Sequence, residues 1–276
     1  MLVNLNGQLL PQQQAVVSLL DRGFQFGDGL FETMRSYRGR VHLLGRHLKR
    51  LRAGAGVLGI PLPEDAELAL RIAATIAANN LPDCALRLTV TRGVSENLFD
   101  IRDDAVPTIA IQLRPLLHSD GHPETIITVA ADPNVGGGGT MKSLNYLRSV
   151  QAVRKIREAG AREGVLVRED GAVLEGSVSN IFMVTGGKVV TPPIWLGILP
   201  GITRQRVMEL AEELRIPAEE RAFTIAELRR ADEVFFTNSV RGIVAVGELD
   251  GVQIPSTAIT LRLSASYSND VGMQGA

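Results

Sequence analysis

Apolar and polar positions divide this chain into short alternating runs and longer helical stripes. Val3, Leu5, Leu9 and Leu10 flank Asn6-Gly7, the pair that best tolerates the positive φ of a type I′ turn. Glycine-containing pairs between apolar runs recur at Asp170-Gly171, Gly186-Gly187 and Asp250-Gly251. Leu86, Leu88 and Val90 alternate with Arg87, Thr89 and Thr91, and Ile109, Ile111 and Leu113 alternate likewise. Both runs predict half-buried strands. Closely spaced hairpins predict mostly antiparallel sheet rather than repeated βαβ units.

Helical stripes interrupt this pattern. Leu44, Leu48, Leu51, Ala55 and Leu58 form one, and Leu68, Ile72, Thr75 and Ile76 a second. Val207, Leu210, Ala211 and Leu214 form a third, and Leu147, Val150, Val153 and Ile156 a less regular fourth. Strands and helices mixed without a simple repeat predict an α+β fold. The polar, Pro- and Gly-bearing stretch Pro115–Pro123 is the expected interdomain linker, separating a domain of residues 1–114 from one of residues 124–276. The glycine run in Pro133–Gly139 reads either as slack loop or as close backbone approach to something bound. The polar tail after Leu263 predicts a frayed end.

Composition narrows the class. The 276 residues, 45% of them hydrophobic, suffice for about two domains with sizeable cores. Lys plus Arg is 29 and Asp plus Glu is 30, a balance that argues against a nucleic-acid binder. One cysteine, Cys84, excludes an intrachain disulfide, and four scattered histidines do not make a metal site. The first residues lack a basic segment and a long apolar run, so no signal peptide is expected. Even the apolar stretch around Ile72 contains Arg71, so no membrane span is expected either, and the location predicted is the cytoplasm.

Four residues stand where chemistry can happen. Pro200-Gly201 precedes an amphipathic helix beginning near Thr203, and free amides at such a helix start form a natural phosphate cradle. The glycines fit neither GxGxxG nor GxxxxGK[ST], so no dinucleotide fingerprint or P-loop is present. Lys142 lies between Met141 and Leu144, and a partly desolvated lysine there can act as an amine nucleophile. Glu175 stands between two strand-like runs and is followed by small Gly176 and Ser177, which lets its carboxylate reach a ligand. Arg50 falls off the apolar stripe of its helix, so its pattern is that of a solvated surface arginine.

Taken together, their order is specific. E-x-S-x-x-N-I-F from Glu175, V-x-T, and L-x-G-I-x-R ending at Arg204 resemble the signature of the class IV, or fold type IV, pyridoxal-phosphate aminotransferases. DRGFQFGDGLFETMRSY, HLKRL and MKSLNYL also look like this family, and the resemblance covers roughly Val3 to Asp250. The family includes branched-chain aminotransferases, D-amino-acid aminotransferases and 4-amino-4-deoxychorismate lyases.

The resemblance implies a small α+β domain, a larger domain of antiparallel β character, and pyridoxal 5′-phosphate as cofactor. It implies that Lys142 is the covalent anchor and the base that moves the α proton, and that Glu175 pairs with the cofactor's ring nitrogen. Arg50 matches the family's phosphate arginine, which overrides the solvated reading. Ile202 and Thr203 match the helix start that holds the phosphate, Asn238 and Ser239 further phosphate contacts, and Tyr146 a tyrosine near the phenolic oxygen. A homodimer is implied, with part of the substrate pocket supplied by the partner.

The substrate positions are mixed. Where D-amino-acid enzymes hold the carboxylate with a Tyr and an Arg-x-His pair, this chain has Phe31, Asn97 and Phe99. Where branched-chain enzymes have a Tyr and a Tyr-x-Arg, it has Phe26, Ala85 and Arg87. The implied reaction is transfer of an amino group between a branched-chain or D-type amino acid and a 2-oxo acid. The alternative is lysis of aminodeoxychorismate to 4-aminobenzoate and pyruvate.

Overall fold

The computed structural model describes residues 1–99, 101, 105–116, 122–132 and 139–274. Most of the glycine run and residues 117–121 of the expected linker lie outside the described residues. The chain divides into two compact units. The first comprises Met1–His118, Met141–Leu144 and Met273–Ala276, the second Ser119–Thr140 and Asn145–Gly272.

The first unit is a sheet with helices on one face. Its elements are β1 (Leu2–Leu5), β2 (Gln8–Pro11), α1 (Arg22–Phe26), β3 (Gly29–Tyr37), β4 (Arg40–Val41), α2 (Leu44–Leu58), α3 (Asp65–Ala78), β5 (Cys84–Thr91) and β6 (Thr108–Pro115). The strand order is β2-β1-β6-β5-β3-β4, and every pairing is antiparallel. Asn6 and Gly7 take φ of 52° and 90°, the left-handed pair that a type I′ turn requires. Alternation puts Leu30, Met34, Leu86, Leu88, Val90, Ile109 and Ile111 on the face covered by Leu48, Leu51 and Ala55 of α2 and by Leu68, Ile72 and Ile76 of α3. Each such large side chain contributes about 1.5–3 kcal/mol when fully buried.

Four residues far along the chain return to this sheet. The Phe31 amide donates to the Lys142 carbonyl at 2.9 Å and the Leu144 amide to the Gly29 carbonyl at 3.0 Å, so Met141–Leu144 lies along β3. Only glycine fits at position 29, because a Cβ there would stand 2.5 Å from the Val90 carbonyl oxygen and 2.7 Å from Leu144 Cδ1.

The second unit comprises β7 (Glu124–Ala130), α4 (Leu147–Glu158), β8 (Glu163–Val167), β9 (Val173–Gly176), β10 (Asn180–Thr185), β11 (Lys188–Thr191), α5 (Ile202–Glu213), β12 (Ala218–Glu220), α6 (Ile225–Leu228), β13 (Glu233–Asn238), β14 (Gly242–Leu249), β15 (Val252–Gln253) and α7 (Ala258–Gln274). Its sheet runs β12-β11-β10-β13-β14-β7-β8-β9, with β15 on β14. Gly186-Gly187 and Asp250-Gly251 make the predicted hairpins, each with two positive φ angles. Three pairings are parallel, β11 with β12, β14 with β7 and β7 with β8, within a sheet that is otherwise antiparallel.

Two expectations are corrected here. The tail after Leu263 is not frayed: it continues α7, because Leu263, Tyr267 and Val271 at four-residue spacing bury one face of an otherwise polar helix. The stripe expected on α4 is only partly its buried face, because Ile156 belongs to it and Ala152 does not. Ala152 and Ile156 pack inward, while Leu147 and Val150 are exposed.

Candidate active site

In the first unit, Lys142 and Arg87 meet on one aromatic ring. The Lys142 Nζ lies 4.6 Å from the Phe31 ring centroid and the Arg87 guanidinium carbon 3.6 Å from it. Phe31 is buried, and register sets Thr33 opposite Arg87 and Phe31 opposite Thr89, so β3 and β5 present these groups on the sheet face opposite the helices. Cations over an aromatic face gain about 0.5–2 kcal/mol, most where water is excluded. Phe26 ends α1 instead, 39% exposed, with the Arg22 guanidinium 5.2 Å from its ring.

On the helix-covered face of β3 sits a carboxylate among leucines. Glu32 is 1% exposed and is held by two side chains of α2: Arg50 Nε and Nη2 donate to it at 2.8 and 2.6 Å, and His47 Nδ1 lies 2.7 Å from it. Arg50 is therefore not a solvated arginine; 12% of its side chain is exposed. Burial would push the Glu32 carboxyl up, but hydrogen bonds and charge from Arg50 and His47 outweigh it and hold the group below its ordinary value. Burial holds His47 below its ordinary value, although Glu32 pulls the other way.

In the second unit, Glu175 on β9 is half-enclosed by polar donors. The Leu199 amide donates to it at 3.1 Å, the Asn180 side-chain amide approaches at 3.5 Å, and Arg148 Nη2 at 3.4 Å. Asn180 also donates to the Leu199 carbonyl at 2.9 Å, tying β10 to the loop before α5. A Cβ at Gly201 would stand 1.9 Å from Asn180 Oδ1, so this close approach demands glycine. Gly201 caps α5 without any side-chain hydrogen bond, although Ile202, Thr203 and Arg204 are buried. A buried helix start whose first amides lack a side-chain cap is a site for an anion.

A second orphan donor lies on this face. Thr237 Oγ1 is buried without a hydrogen-bond partner among the described residues. Thr237 is directly opposite Asn180 in the β10–β13 pairing, and such pairs share a face of the sheet. Uncapped amides and an unpaired buried hydroxyl fit a phosphate. Asn238 spends its side-chain oxygen on the amides of Val240 and Arg241, and Ser239 sits in the same turn. Tyr146 precedes α4 and lines a cleft of about 390 Å³ with Val150, Val153 and Val178.

Residues 29–249 match the family amino-transferase class IV. The chain belongs to that family. It is 40% identical over 255 residues to a putative branched-chain-amino-acid aminotransferase of Methanocaldococcus jannaschii, covering 91% of this chain and 88% of the relative. It is 34% identical over 276 residues to a D-alanine aminotransferase of Bacillus licheniformis, covering 98% and 97%. A crystal structure of branched-chain aminotransferase from Thermoproteus uzoniensis with norvaline superposes with a TM-score of 0.90 at 30% identity, covering 99% of this chain and 95% of that one. This class IV aminotransferase is thus a pyridoxal-phosphate enzyme of fold type IV.

Sequence reasoning passed over Glu32, His47, Thr237 and Arg148. Glu32 was open to detection, because alternation places it with Leu30 and Met34 on the apolar face, where a carboxylate needs a cation. His47 and Arg50, three apart on α2, supply that partner. Thr237 carried no signal, since only the absence of a partner marks it. Among the described residues no cluster of His, Cys, Asp and Glu suits a metal ion, and no helix is long and apolar enough to cross a membrane.

Proposed function

We propose that this aminotransferase acts on branched-chain-type amino acids and a 2-oxo acid, with Lys142 as the reacting amine and Arg87 as the group that holds the substrate carboxylate. The observation that supports this reading is that the Arg87 guanidinium and the Lys142 amine both lie against the Phe31 ring. Arg87 is the position kept from the branched-chain pattern, whereas Phe31, Asn97 and Phe99 replace the D-type carboxylate trap. The relative named as a branched-chain enzyme is also the more similar of the two, at 40% against 34% identity.

Pyridoxal phosphate, when bound, supplies a carbonyl that condenses with amines and a ring that takes up the electrons freed at the α-carbon. Lys142 Nζ accepts the α proton and holds it for return. Glu175 holds a proton on the ring nitrogen. The α5 amides at Ile202 and Thr203, the hydroxyls of Thr237 and Ser239, and Arg50 bind the phosphate, while Asn238 shapes the turn that carries Ser239. Tyr146 serves the phenolic oxygen. The lobes of this arrangement are residues 1–114 and 124–276, joined by 115–123, except that Met141–Leu144 belongs with the first.

A homodimer in the cytoplasm completes the reading. The first unit exposes Val16, Leu19, Phe24, Val94, Leu98 and Phe99, an apolar surface suited to a second copy. The lone Cys84 is a buried free thiol, in keeping with a reducing compartment.

The test is a panel of L- and D-amino acids with 2-oxoglutarate or pyruvate, with aminodeoxychorismate as a separate arm. Turnover of L-branched-chain amino acids is expected, together with a dimer mass in sedimentation. Activity confined to D-amino acids, or pyruvate released from aminodeoxychorismate without a 2-oxo acid, overturns the substrate assignment.

A further inference from the structure

Arg148 brings a full charge to Glu175, which also meets neutral donors. Arg148 reaches Glu175 Oε1 from the first turn of α4, while Leu199 and Asn180 offer neutral N–H donors to Oε2. Local physics does not favour an arginine at that place. The first turn is the positive end of the helix dipole, where a cation costs about 0.3–1 kcal/mol. No acidic residue in that turn offsets it. The Arg148 side chain is 18% exposed and that of Glu175 12%, so both charges are largely removed from water. The carboxylate is the group that compensates the guanidinium, and it is also the group assigned to the cofactor's ring nitrogen.

We propose that Arg148 is a positioning residue that acts through Glu175: it holds Oε1, draws off part of the carboxylate's charge, and so limits how tightly Glu175 keeps a proton on the ring nitrogen. The inference rests on the reading of Glu175 given above. Removing the guanidinium acts in one direction by two routes. One cation fewer stands near the nitrogen, and the carboxylate is freed to hold the proton more strongly.

The experiment uses holoenzyme loaded with pyridoxal phosphate labelled with ¹⁵N at the ring. The ¹⁵N shift is followed against pH in wild type, Arg148→Lys, Arg148→Met, Glu175→Gln and the Arg148→Met/Glu175→Gln double variant. Arg148→Met should move the midpoint upward by about half a pH unit, a roughly threefold gain in proton affinity. Arg148→Lys should stay nearer wild type. In the Glu175→Gln background the Arg148→Met shift should fall to less than half, because the effect passes through the carboxylate.

An unchanged midpoint in Arg148→Met, or an equal shift in both backgrounds, overturns the proposal. So does a wild-type nitrogen that keeps its proton throughout the range the enzyme survives, because Arg148 then limits nothing. A folded Arg148→Met that no longer takes up cofactor also overturns it, since Arg148 would be a direct binding group. If Glu175→Gln by itself leaves the titration unchanged, the reading of Glu175 fails. If Glu175→Gln moves it and Arg148→Met does not, only the present inference fails.

Discussion

Phe31 and Lys142 are joined twice: the Phe31 amide donates to the Lys142 carbonyl at 2.9 Å, and the Lys142 ammonium lies 4.6 Å from the centre of the Phe31 ring. The backbone bond fixes where Lys142 stands, and the ring fixes where its side chain ends. Phe31→Leu keeps the first link and removes the second. The expected result is an enzyme that still takes up cofactor on Lys142 but loses about tenfold in kcat/KM, since the lost ring served both Lys142 and Arg87. Steady-state kinetics checks this, and an unchanged kcat/KM would remove the ring from the mechanism.

Lys142→Ala should abolish turnover and leave the fold intact, because the side chain is only half-buried and its backbone contacts to β3 do not depend on it. In wild type, borohydride should trap the cofactor on Lys142 in a stable adduct located by peptide mapping. A label on Lys155 instead would sink the site assignment.

Acid should loosen the first unit through Glu32 and His47. Both groups lie below their ordinary values of 4.5 and 6.5 in the fold, so the unfolded chain binds protons at higher pH and stability rises with pH. The contribution of His47 is full above about pH 6.5 and is lost as pH falls through its folded value. That of Glu32 is full above about pH 4.5 and is lost below that. His47→Gln should flatten the upper part of the Tm-against-pH curve. Glu32→Gln should flatten the lower part and lower stability near neutral pH by roughly 2–3 kcal/mol, since Arg50 loses its buried counter-charge. Thermal melts across the acid range measure both, and parallel curves for wild type and variants would remove this pair from the pH response.

Gly201→Ala tests the cup at the start of α5. The new Cβ would fall 1.9 Å from Asn180 Oδ1, and Asn180 is held in place by its bond to the Leu199 carbonyl. Relief requires the helix start to shift, at a cost of about 1–3 kcal/mol. Cofactor affinity should fall about tenfold or more while the isolated fold persists. Equilibrium titration of apoprotein with pyridoxal phosphate gives the answer, and wild-type affinity would show that the amides at Ile202 and Thr203 do not carry the phosphate.

Local chemistry along the chain determined a good deal. The turns at Asn6-Gly7, Gly186-Gly187 and Asp250-Gly251 were legible because few residue pairs tolerate two positive φ angles, and these hairpins largely determine the antiparallel sheets. The stripe Leu68, Ile72, Thr75 and Ile76 was legible because a helix with one buried face repeats every three to four residues, and all four are buried. Family membership was readable from the spacing between Glu175 and Arg204, which the β10–β11 hairpin, the turn before it and the start of α5 hold constant.

The tertiary structure decided the rest, where identity depends on partners distant in sequence. Arg50 has the helical position of a surface residue, and only the arrival of β3 beneath α2 turns it into the counter-charge of buried Glu32. The exposed side of α4 and the buried side of α7 could not be told from apolar counts, because burial follows from which face meets a neighbour. Met141–Leu144, which carries Lys142, joins the first unit through two backbone hydrogen bonds to β3, and backbone groups are alike at every residue, so no side-chain pattern announces where they pair. Arg148 opposes the dipole of its own helix, and what makes it tolerable is the Glu175 carboxylate, 27 residues away in the chain and 3.4 Å away in space.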